Sequence, residues 1–347
     1  MAQLLITGGA GFIGSHACLS FLDAGYSLVV IDNYSNGSIE ALRRVAQLSR
    51  IKLNSERLKL VEGDISKPSD LEKAFSLGKE PIEAVVHFAG LKAVGDSFEI
   101  PLRYWRTNVT GSIYLLEAMK RNNCKTIVFS SSATVYGLPK SIPIRETSEI
   151  NPINPYGKTK AAVENILFDL SKTEEDWRIA CLRYFNPVGA HSSGMIGEDP
   201  NGTPNNLFPF VSQVAVNRRS ELSIFGSDWP TSDGSAIRDY IHVIDLVEGH
   251  RAALNLLLKE GPQAFSMNLG SGKGHTVFEV VSTFESVVGR KIPCRIVERR
   301  PGDIACSVAD SSFAKLRLGW ETRKNLLDMC KDSWVWQKNN PFGYKTS

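Results

Sequence analysis

The sequence lacks any run of about 20 apolar residues, the length that a helix needs to cross a bilayer. It also lacks a basic segment and a small-residue cleavage site near its start, since residues 1–3 (MAQ) lead directly into the apolar residues 4–6 (LLI). These absences argue against a membrane span and a secretory signal. We therefore expect a cytoplasmic protein with no membrane partner.

A surplus of charge of one sign is missing as well. The 347 residues include 40 Lys and Arg and 37 Asp and Glu, so the formal net charge is +3. This balance argues against nucleic acid as a partner. Apolar residues make up 42% and charged residues 22%, which is ordinary for a folded chain of one large domain or two moderate ones.

Paired cysteines and clustered histidines are absent too. None of the six cysteines forms a C-x-x-C pair, and none of the six histidines lies in an H-E-x-x-H pattern. Most of the cysteines lie in apolar runs, which is typical of buried free thiols in a reducing compartment. We expect no metal site built by the protein.

Short apolar strands alternate with longer helical patterns through the first half of the chain. This alternation predicts an α/β fold, a doubly wound parallel sheet with helices on both faces and ligands at the carboxyl ends of its strands. The predicted strands are Leu4–Thr7, Leu28–Asp32, Leu58–Glu62, Ala84–Phe88 and Thr126–Ser130. The predicted helices are Phe12–Ala24, Ser69–Phe75, Val109–Arg121 and Lys158–Leu170.

The composition changes near residue 186. Residues 188–206 are rich in Gly, Pro, Ser and Asn, which is typical of long loops, and shorter mixed elements follow. We therefore predict that residues 1–186 form the sheet domain and that residues 187–347 form a smaller C-terminal lobe. Part of 237–262 is expected to pack back on the sheet domain.

A glycine-rich loop joins the first predicted strand to the first predicted helix. Gly9, Gly11 and Gly14 satisfy G-x-G-x-x-G, and Gly8 with the last two satisfies G-x-x-G-x-x-G. Glycine permits the close approach of the backbone to a pyrophosphate, and the helix N-terminus presents N–H groups to it. Asp32 follows Gly14 by 18 residues. This is close to the spacing of about 20 at which a carboxylate binds the adenosine ribose and repels a 2′-phosphate. The pattern predicts a Rossmann-type site for NAD rather than NADP.

The pattern Tyr-x-x-x-Lys occurs twice, at Tyr136–Lys140 and at Tyr156–Lys160. The first copy contains Gly and Pro, whereas the second opens a helix on which positions i and i+4 share a face. A phenol with a pKa of about 10 is a poor base at neutral pH. A nearby ammonium together with an oxidised nicotinamide lowers that pKa. We predict Tyr156 as the base, Lys160 as its partner, and the Ser132 hydroxyl as the group that binds the reacting oxygen.

Three stretches, at 7–14, 130–137 and 156–160, resemble the extended short-chain dehydrogenases/reductases. Together with four further stretches they resemble the UDP-glucose 4-epimerase group of that family. The similarity extends nearly from end to end. The stretches are TGGAGFIG (7–14), HFAGLKAVG (87–95), SSSATVYG (130–137), YGKTK (156–160), LRYFNPVGA (182–190), PNNL (204–207) and RDYIHV (238–243).

The resemblance implies an NAD site in the first domain. Lys92 has an alternative interpretation as a solvated surface charge, and its matching neighbours favour the cofactor role. The residues that this resemblance assigns to NAD are Gly8, Gly11, Phe12, Ile13, Gly14, Asp32, Asn33, Tyr34, Ser35, Asn36, Gly37, Asp64, Ile65, Phe88, Ala89, Gly90, Leu91, Lys92, Asn108, Ser132, Tyr156, Lys160 and Phe185.

The resemblance also implies that a UDP-hexose binds the C-terminal lobe. Arg238 and Arg300 are assigned to the diphosphate, Phe225 to uracil and Asp303 to the uridine ribose. The small side chain of Ser307 stands where some family members carry Tyr, which leaves room for a sugar N-acetyl group. The full set assigned to the substrate is Lys92, Ser132, Tyr156, Asn186, Asn206, Leu207, Phe225, Arg238, Arg300, Asp303 and Ser307.

The implied reaction is the reversible C4 epimerisation of UDP-glucose and UDP-galactose through a 4-keto sugar, with hydride held transiently by retained NAD. UDP-GlcNAc and UDP-GalNAc are possible further substrates. Alternatives are another extended reductase, such as a UDP-uronate 4-epimerase or a dehydratase, and a non-catalytic NAD-binding regulator. A dehydratase is disfavoured because Ser132-Ala133 stands where its Asp-Glu pair is expected. The family usually forms homodimers through helices that correspond to 97–122 and 156–170.

Overall fold

The computed structural model describes residues 2–300 and 302–345. A π-helical segment covers Trp105–Thr110, and a 3₁₀ turn covers Ala133–Tyr136. The strands are β1 (Gln3–Thr7), β2 (Ser27–Asp32), β3 (Leu58–Glu62), β4 (Ile82–His87), β5 (Thr126–Ser132), β6 (Arg178–Tyr184), β7 (Asn186–Val188), β8 (Leu222–Phe225), β9 (Ile237–His242), β10 (Gln263–Leu269), β11 (Gly274–Thr276), β12 (Cys294–Val297) and β13 (Cys306–Ser307). The helices are α1 (Phe12–Asp23), α2 (Ile39–Leu48), α3 (Pro68–Ser76), α4 (Val94–Glu99), α5 (Pro101–Tyr104), α6 (Gly111–Arg121), α7 (Pro155–Thr173), α8 (Leu207–Ala215), α9 (Val243–Glu260), α10 (Val277–Val288), α11 (Ser312–Leu318) and α12 (Leu326–Asn339).

The central sheet has seven strands in the order β10-β6-β5-β4-β1-β2-β3. Strand β1 pairs in parallel with β2 on one side and with β4 on the other. Strand β2 pairs in parallel with β3, and β4 pairs in parallel with β5. The strand order therefore reverses at β1 and β4, and ligands of doubly wound sheets bind at such a switch point. The predicted α/β, Rossmann-type fold is confirmed.

The central strands are apolar along their length because both faces of the sheet are covered. All five residues of β1 are buried, and Leu28, Val29 and Val85 are fully inaccessible. Parallel sheets that carry helices on both faces show this continuous burial. The five predicted strands are all present, with ends that differ by at most two residues.

Helix α2 is missing from the sequence prediction. Its first turn is capped by the Ser38 hydroxyl, which accepts a hydrogen bond from Glu40 N. Leu42, Val45 and Ala46 form its buried face at helical spacing. Both signals were readable in the sequence.

The structured chain divides into two compact units. The first contains the chain up to Gly137 together with Ile150–Arg183 and Val247–Met267. The second contains Leu138–Glu149, Tyr184–Leu246 and the chain from Asn268 onward. The return of 247–267 to the first unit overlaps the segment 237–262 that was expected to pack back.

The second unit also contains Leu138–Glu149, which precedes the boundary predicted near residue 186. Ile144 in that segment is buried and forms a parallel bridge with Ala309. Its N–H donates to Val308 O at 2.8 Å, and its carbonyl accepts from Asp310 N at 2.8 Å. Hydrogen bonds across a long sequence separation cannot be inferred from local composition.

The second unit is built around β9. This strand pairs with β11, β13 and β7, while β8 and β12 form a separate two-stranded ribbon. The ring of Phe208 contacts the rings of Tyr240 and Phe284 in the core of this unit. Capping boxes begin helices α10 and α12 at Thr276 and Asn325.

Neither a membrane-spanning helix nor a metal-binding cluster occurs in residues 2–300 and 302–345. Each helix in these ranges is too short or too polar to span a bilayer. Among the same residues, no group of three or more His, Cys, Asp or Glu side chains is placed to hold one metal ion.

Candidate active site

Two glycines at the loop between β1 and α1, Gly8 and Gly14, have no room for a side chain. Gly8 has a φ of +70°, and a Cβ there would lie 2.7 Å from Ala89 N. A Cβ on Gly14 would lie 2.1 Å from Gly8 O, so only glycine lets α1 pack against the loop. Gly11 precedes α1 and provides no side-chain cap. The loop therefore offers backbone N–H groups at a helix N-terminus to an anionic ligand.

The carboxylate of Asp32 is held rigidly at the end of β2. One oxygen accepts from Ala10 N at 2.9 Å, and the other accepts from Tyr34 N at 2.8 Å. Burial raises the pKa of Asp32, and these two hydrogen bonds oppose that shift. Each oxygen retains acceptor capacity, which suits the two hydroxyls of a ribose.

The loop after β2 is tied to the end of β3. Asn33 Nδ2 donates to one oxygen of Asp64 at 2.8 Å, and Ser66 N and Oγ donate to the other at 2.8 and 2.7 Å. Gly37 packs so closely on Ala10 that a Cβ would lie 2.8 Å from its carbonyl. The assigned segment Asp32–Gly37 and Asp64 thus lie beside the glycine loop.

Asn108 organises the segment that follows β4. Its side chain accepts from Leu91 N at 2.8 Å and donates to Leu91 O at 3.0 Å. It also donates to Thr159 Oγ1 on α7 at 3.1 Å. The π-helical segment that carries Asn108 therefore joins the Phe88–Lys92 segment to the helix of the predicted base.

These features fit a dinucleotide cofactor. The glycine loop presents the N-terminus of α1 to a pyrophosphate, and Asp32 has free acceptor sites for a ribose. A Cβ on Gly90 would lie 3.9 Å from Lys160 Nζ, so the backbone of Gly90 lies close to the ammonium. Phosphate, ribose and nicotinamide contacts would thus be supplied from one edge of the central sheet.

Helix α7 places Tyr156 and Lys160 on one buried face. Asn154 caps the helix by accepting from Gly157 N at 2.7 Å, and Pro155 occupies the first turn. Lys160 Nζ donates to Ser130 O at 2.7 Å and lies 5.9 Å from the centroid of the Tyr156 ring. The ammonium is thus held between the end of β5 and the phenol.

The other Tyr-x-x-x-Lys copy does not form such a pair. Tyr136 ends a 3₁₀ turn, and Gly137 follows with a φ of +62°. Its phenol oxygen accepts from Arg183 Nη1 at 3.1 Å. Lys140 is exposed and donates to Glu149 at 2.7 Å. Tyr136 and Lys140 therefore have separate partners and do not share one face of an α-helix.

The hydroxyl of Ser132 is oriented by Thr134. Its oxygen accepts from Thr134 N at 3.2 Å and from Thr134 Oγ1 at 3.0 Å. A serine hydroxyl has two acceptor sites and one hydrogen, so its hydrogen is left for a third partner. Hydrogen bonding by Ser132 lowers the pKa of the Tyr156 phenol, so this phenol is one acceptor for that hydrogen.

In the second unit, Arg238 on β9 lies beside two other predicted residues. Its Nη1 donates to Ile304 O at 2.7 Å, and its Nη2 lies 3.6 Å from Asp303 Oδ1. Ser307 on β13 is its direct neighbour in the sheet register. Asn186 on β7 pairs with Tyr240 of β9, and its Nδ2 donates to Asp239 O at 3.1 Å.

Arg300 stacks on Phe225, with 3.7 Å between the guanidinium carbon and the ring centroid. Its Nη1 also donates to Asn205 O at 3.4 Å, next to Asn206 and Leu207. The Asn206 side chain donates to Glu198 at 3.1 Å. One face of the ring predicted to flank uracil is therefore covered by the guanidinium.

A family model described as the NAD dependent epimerase/dehydratase family matches residues 4–270. The chain belongs to this family. NAD is accordingly its cofactor, and the resemblance inferred from the motifs is confirmed.

Relatives and solved structures place the chain more closely within the family. The UDP-glucose 4-epimerase of Bacillus subtilis (strain 168) is 52% identical over 345 residues, covering 99% of each chain. A bifunctional UDP-glucose 4-epimerase and UDP-xylose 4-epimerase 1 of Pisum sativum is 50% identical, covering 99% of this chain and 97% of the relative. A crystal structure of UDP-glucose 4-epimerase from Bifidobacterium longum in complex with NAD+ and UDP has a TM-score of 0.94 and 44% identity, covering 99% and 100% of the two chains.

In this family member, burial dominates the acid–base properties of the predicted pair. Burial raises the pKa of Tyr156 to about 12 and lowers the pKa of Lys160 to about 8. Lys160 and the nicotinamide were together expected to lower the phenol pKa, but in the chain alone the shift has the opposite sign. The ammonium by itself does not offset the desolvation of the phenol.

Sequence reasoning missed several residues that shape the site. Thr134 orients Ser132, and Glu198 holds Asn206. Glu164 and Arg183 form a buried ion pair at 2.6 Å beside Lys160. The one readable signal was that Glu164 follows Lys160 by four residues on the same helix.

Proposed function

We propose that the chain catalyses the reversible C4 epimerisation of UDP-glucose and UDP-galactose with retained NAD. The observation that carries this proposal is the Ser132–Tyr156–Lys160 arrangement at the end of β5, in a chain similar over its length to UDP-glucose 4-epimerases. The arrangement supplies a proton acceptor, a hydroxyl donor and a fixed cation at one point. Such a set suits oxidation of a secondary alcohol and reduction of the resulting ketone.

In the proposed reaction, Tyr156 accepts the proton of the sugar 4-hydroxyl and later returns it. Ser132 donates its hydrogen to the reacting oxygen, because Thr134 occupies both of its acceptor sites. When bound, the oxidised cofactor supplies a hydride acceptor for C4 and the positive charge that the buried phenol lacks. Lys160 holds its ammonium near the phenol and favours the phenolate. The 4-keto sugar then turns and is reduced on its opposite face.

The second unit is proposed to bind the UDP portion. Arg238 and Arg300 provide cations for the diphosphate, Phe225 an aromatic face for uracil, and Asp303 an acceptor for the ribose. Fixing the nucleotide leaves the hexose free to turn between the two hydride transfers. Asn186, Asn206, Leu207 and Lys92 complete the proposed substrate contacts.

The alternative functions are less well supported by the residues present. Ala133 follows Ser132, where a dehydratase is expected to carry an acidic pair. A regulator that has lost catalysis would not need the buried Tyr156 and Lys160 held in contact with Ser132 and Ser130.

The test is to incubate purified protein with UDP-galactose without added NAD and to separate the products. UDP-glucose is expected, and Tyr156→Phe is expected to lower the rate by roughly 10²–10⁴-fold because the proton acceptor is lost. Tyr26→Phe removes a phenol that bonds Asn255 at 3.1 Å and serves as the matched control. Full activity of Tyr156→Phe would refute the assigned base, and a dehydrated product would favour a dehydratase.

We further propose that UDP-GlcNAc and UDP-GalNAc are substrates. The support is the small side chain of Ser307, which lies next to Arg238 in the sheet. An N-acetyl group needs more space than the hydroxyl that it replaces, and serine leaves that space.

We also propose that the chain forms a homodimer through the segment 97–122 and helix α7. An exposed apolar patch supports this face: Phe98, Ile100, Leu102 and Trp105 are all exposed, and Leu102 is 82% accessible. Leu102→Asp is expected to shift sedimentation velocity from dimer to monomer, whereas Leu316→Asp at an equally exposed position is not. A wild-type protein that sediments as a monomer at micromolar concentration would overturn the proposal.

A cytoplasmic location is proposed from the thiols. All six cysteines lie in the described ranges and are free, and four of them are buried. Free thiols persist in reducing compartments. Cell fractionation with detection of the native chain tests this location, and recovery from an oxidising compartment would contradict it.

A further inference from the structure

A buried ion pair lies behind the proposed catalytic helix. Glu164 on α7 and Arg183 on β6 are 3% and 4% accessible. Arg183 Nε donates to both carboxylate oxygens at 3.0 and 3.1 Å, and Nη2 donates to Oε2 at 2.6 Å. Removing two charges from water is costly, and an apolar pair would often be equally stable. Stability alone therefore does not account for an ion pair at this position, and neither residue has a role in the proposed reaction described above.

The ion pair forms hydrogen bonds to the chain on either side of Ser132 in sequence. Ser131 Oγ donates to Glu164 Oε1, and Arg183 Nη1 donates to the phenol oxygen of Tyr136 at 3.1 Å. Ser131 precedes Ser132 in β5, and Tyr136 ends the 3₁₀ turn that follows it. The strand end that aims the Ser132 hydroxyl is thus attached at two points to one rigid guanidinium–carboxylate unit.

The same carboxylate lies one helical turn beyond Lys160. Positions 156, 160 and 164 share a face of α7, and each of the three contacts the run Ser130–Ser132. The negative charge of Glu164 favours the ammonium of Lys160, which burial disfavours. Other titratable groups near this point lie on several elements. They are His87 on β4, His250 on α9, Tyr104 on α5, Tyr136 after β5, Cys181 on β6 and Tyr156 itself.

We propose that Glu164 and Arg183 are positioning residues of the reaction, which hold the Ser130–Ser132 strand end against α7 and place a carboxylate one helical turn beyond Lys160. The inference rests on the proposed function for its catalytic meaning. The effect of Glu164 on the titration of Lys160 can be measured whether or not the protein is an epimerase.

The test uses full-length protein with its cofactor and three variants. Glu164→Gln retains a hydrogen-bond acceptor for Ser131 but removes the carboxylate that pairs with Arg183, so it is expected to lower Tm. The double variant Glu164→Gln/Arg183→Met removes both charges and avoids a lone buried cation. Val163→Ala, on the same helix and 1% accessible, lowers stability without changing charge and is the matched control.

The first readout is the NMR titration of Lys160 in protein labelled with ¹³C at lysine Cε. The midpoint is expected to fall by roughly 0.5–1 pH unit in Glu164→Gln, because a carboxylate beside the ammonium is lost while the Arg183 cation remains. It is expected to fall by less in the double variant, because the loss of the Arg183 cation partly offsets the loss of the carboxylate. In Val163→Ala it is expected to stay at the wild-type value. A merely structural pair would change Tm and leave this midpoint in place.

The second readout is epimerase kinetics. The double variant is expected to lose roughly 10-fold or more in kcat with KM changed less than about 3-fold, since Ser132 and Lys160 are misplaced but the nucleotide contacts are kept. A folded double variant with wild-type kcat and a wild-type Lys160 midpoint would overturn the inference. If the wild-type protein shows no epimerase activity, the proposed function fails, while the NMR titration still tests the pair.

Discussion

Thr134 Oγ1 donates a hydrogen bond of 3.0 Å to Oγ of Ser132, which lies two residues earlier in the chain. With the bond from Thr134 N, both acceptor sites of the serine hydroxyl are occupied. The only hydrogen on Ser132 is then available to Tyr156 or to a substrate oxygen. A residue of the 3₁₀ turn therefore decides which way the Ser132 hydroxyl points.

We predict that Thr134→Val lowers kcat by roughly 3–10-fold with little change in KM, because Ser132 loses one of the two donors that orient it. Steady-state kinetics with UDP-galactose measure this change. Thr173→Val, at the exposed end of α7, is the control and keeps wild-type kcat. Equal kinetics of Thr134→Val and wild type would show that the backbone N–H alone is sufficient.

Asp32 is predicted to set both the affinity and the identity of the cofactor. Asp32→Ala is expected to weaken NAD binding by roughly 10-fold or more, because a preorganised acceptor of the ribose hydroxyls is lost. It is also expected to narrow the preference for NAD over NADP, because a carboxylate that repels a 2′-phosphate is removed. Calorimetric titration of cofactor-free protein measures both, with Asp23→Ala at the exposed end of α1 as control. An unchanged Kd for NAD would contradict the assignment.

His87 is predicted to make the protein sensitive to acid. Its ring is buried between Thr7 Oγ1 at 2.7 Å and Ser112 Oγ at 2.9 Å, and burial lowers its pKa from 6.5 to about 3. Between these pH values the unfolded chain binds the extra proton. The contribution of His87 to stability is therefore complete above pH 6.5 and is lost as the pH falls toward 3, with a slope of about 1.4 kcal/mol per pH unit.

Thermal unfolding between pH 7 and pH 5 measures this loss. His87→Gln keeps hydrogen-bonding atoms but does not titrate, so its Tm is expected to fall less steeply with acid than the wild-type Tm. His275→Gln removes a partly exposed histidine near Glu279 and is expected to follow the wild type. Parallel pH profiles of wild type and His87→Gln would show that His87 is not the group responsible.

Local patterns were sufficient for the cofactor half of the molecule. The glycine loop, Asp32 and the five strands are each recognisable from neighbours within a few residues, because turn geometry and strand burial are local properties. The capped helix at Asn154 and the shared face of Tyr156 and Lys160 are local as well. These features were predictable because each depends on a short stretch of chain.

Contacts between distant stretches were not predictable in the same way. Arg183 reaches Glu164 across two elements, and Ile144 joins Val308 across a long sequence separation. The raised pKa of Tyr156 had the same origin, since desolvation by surrounding elements outweighed the local ammonium. Burial and pairing of this kind arise only when the chain has folded.

The final prediction concerns Ser307 and the range of sugars. Ser307→Tyr is expected to lower the ratio of UDP-GlcNAc to UDP-galactose turnover by roughly 10-fold or more, because a bulky ring would fill the space proposed for the N-acetyl group. Product analysis with each substrate at equal concentration measures the ratio. Ser286→Tyr, at an exposed position on α10, is the matched control for added bulk. A wild-type protein inactive on UDP-GlcNAc, or a variant with an unchanged ratio, would show that other side chains decide which sugars are accepted.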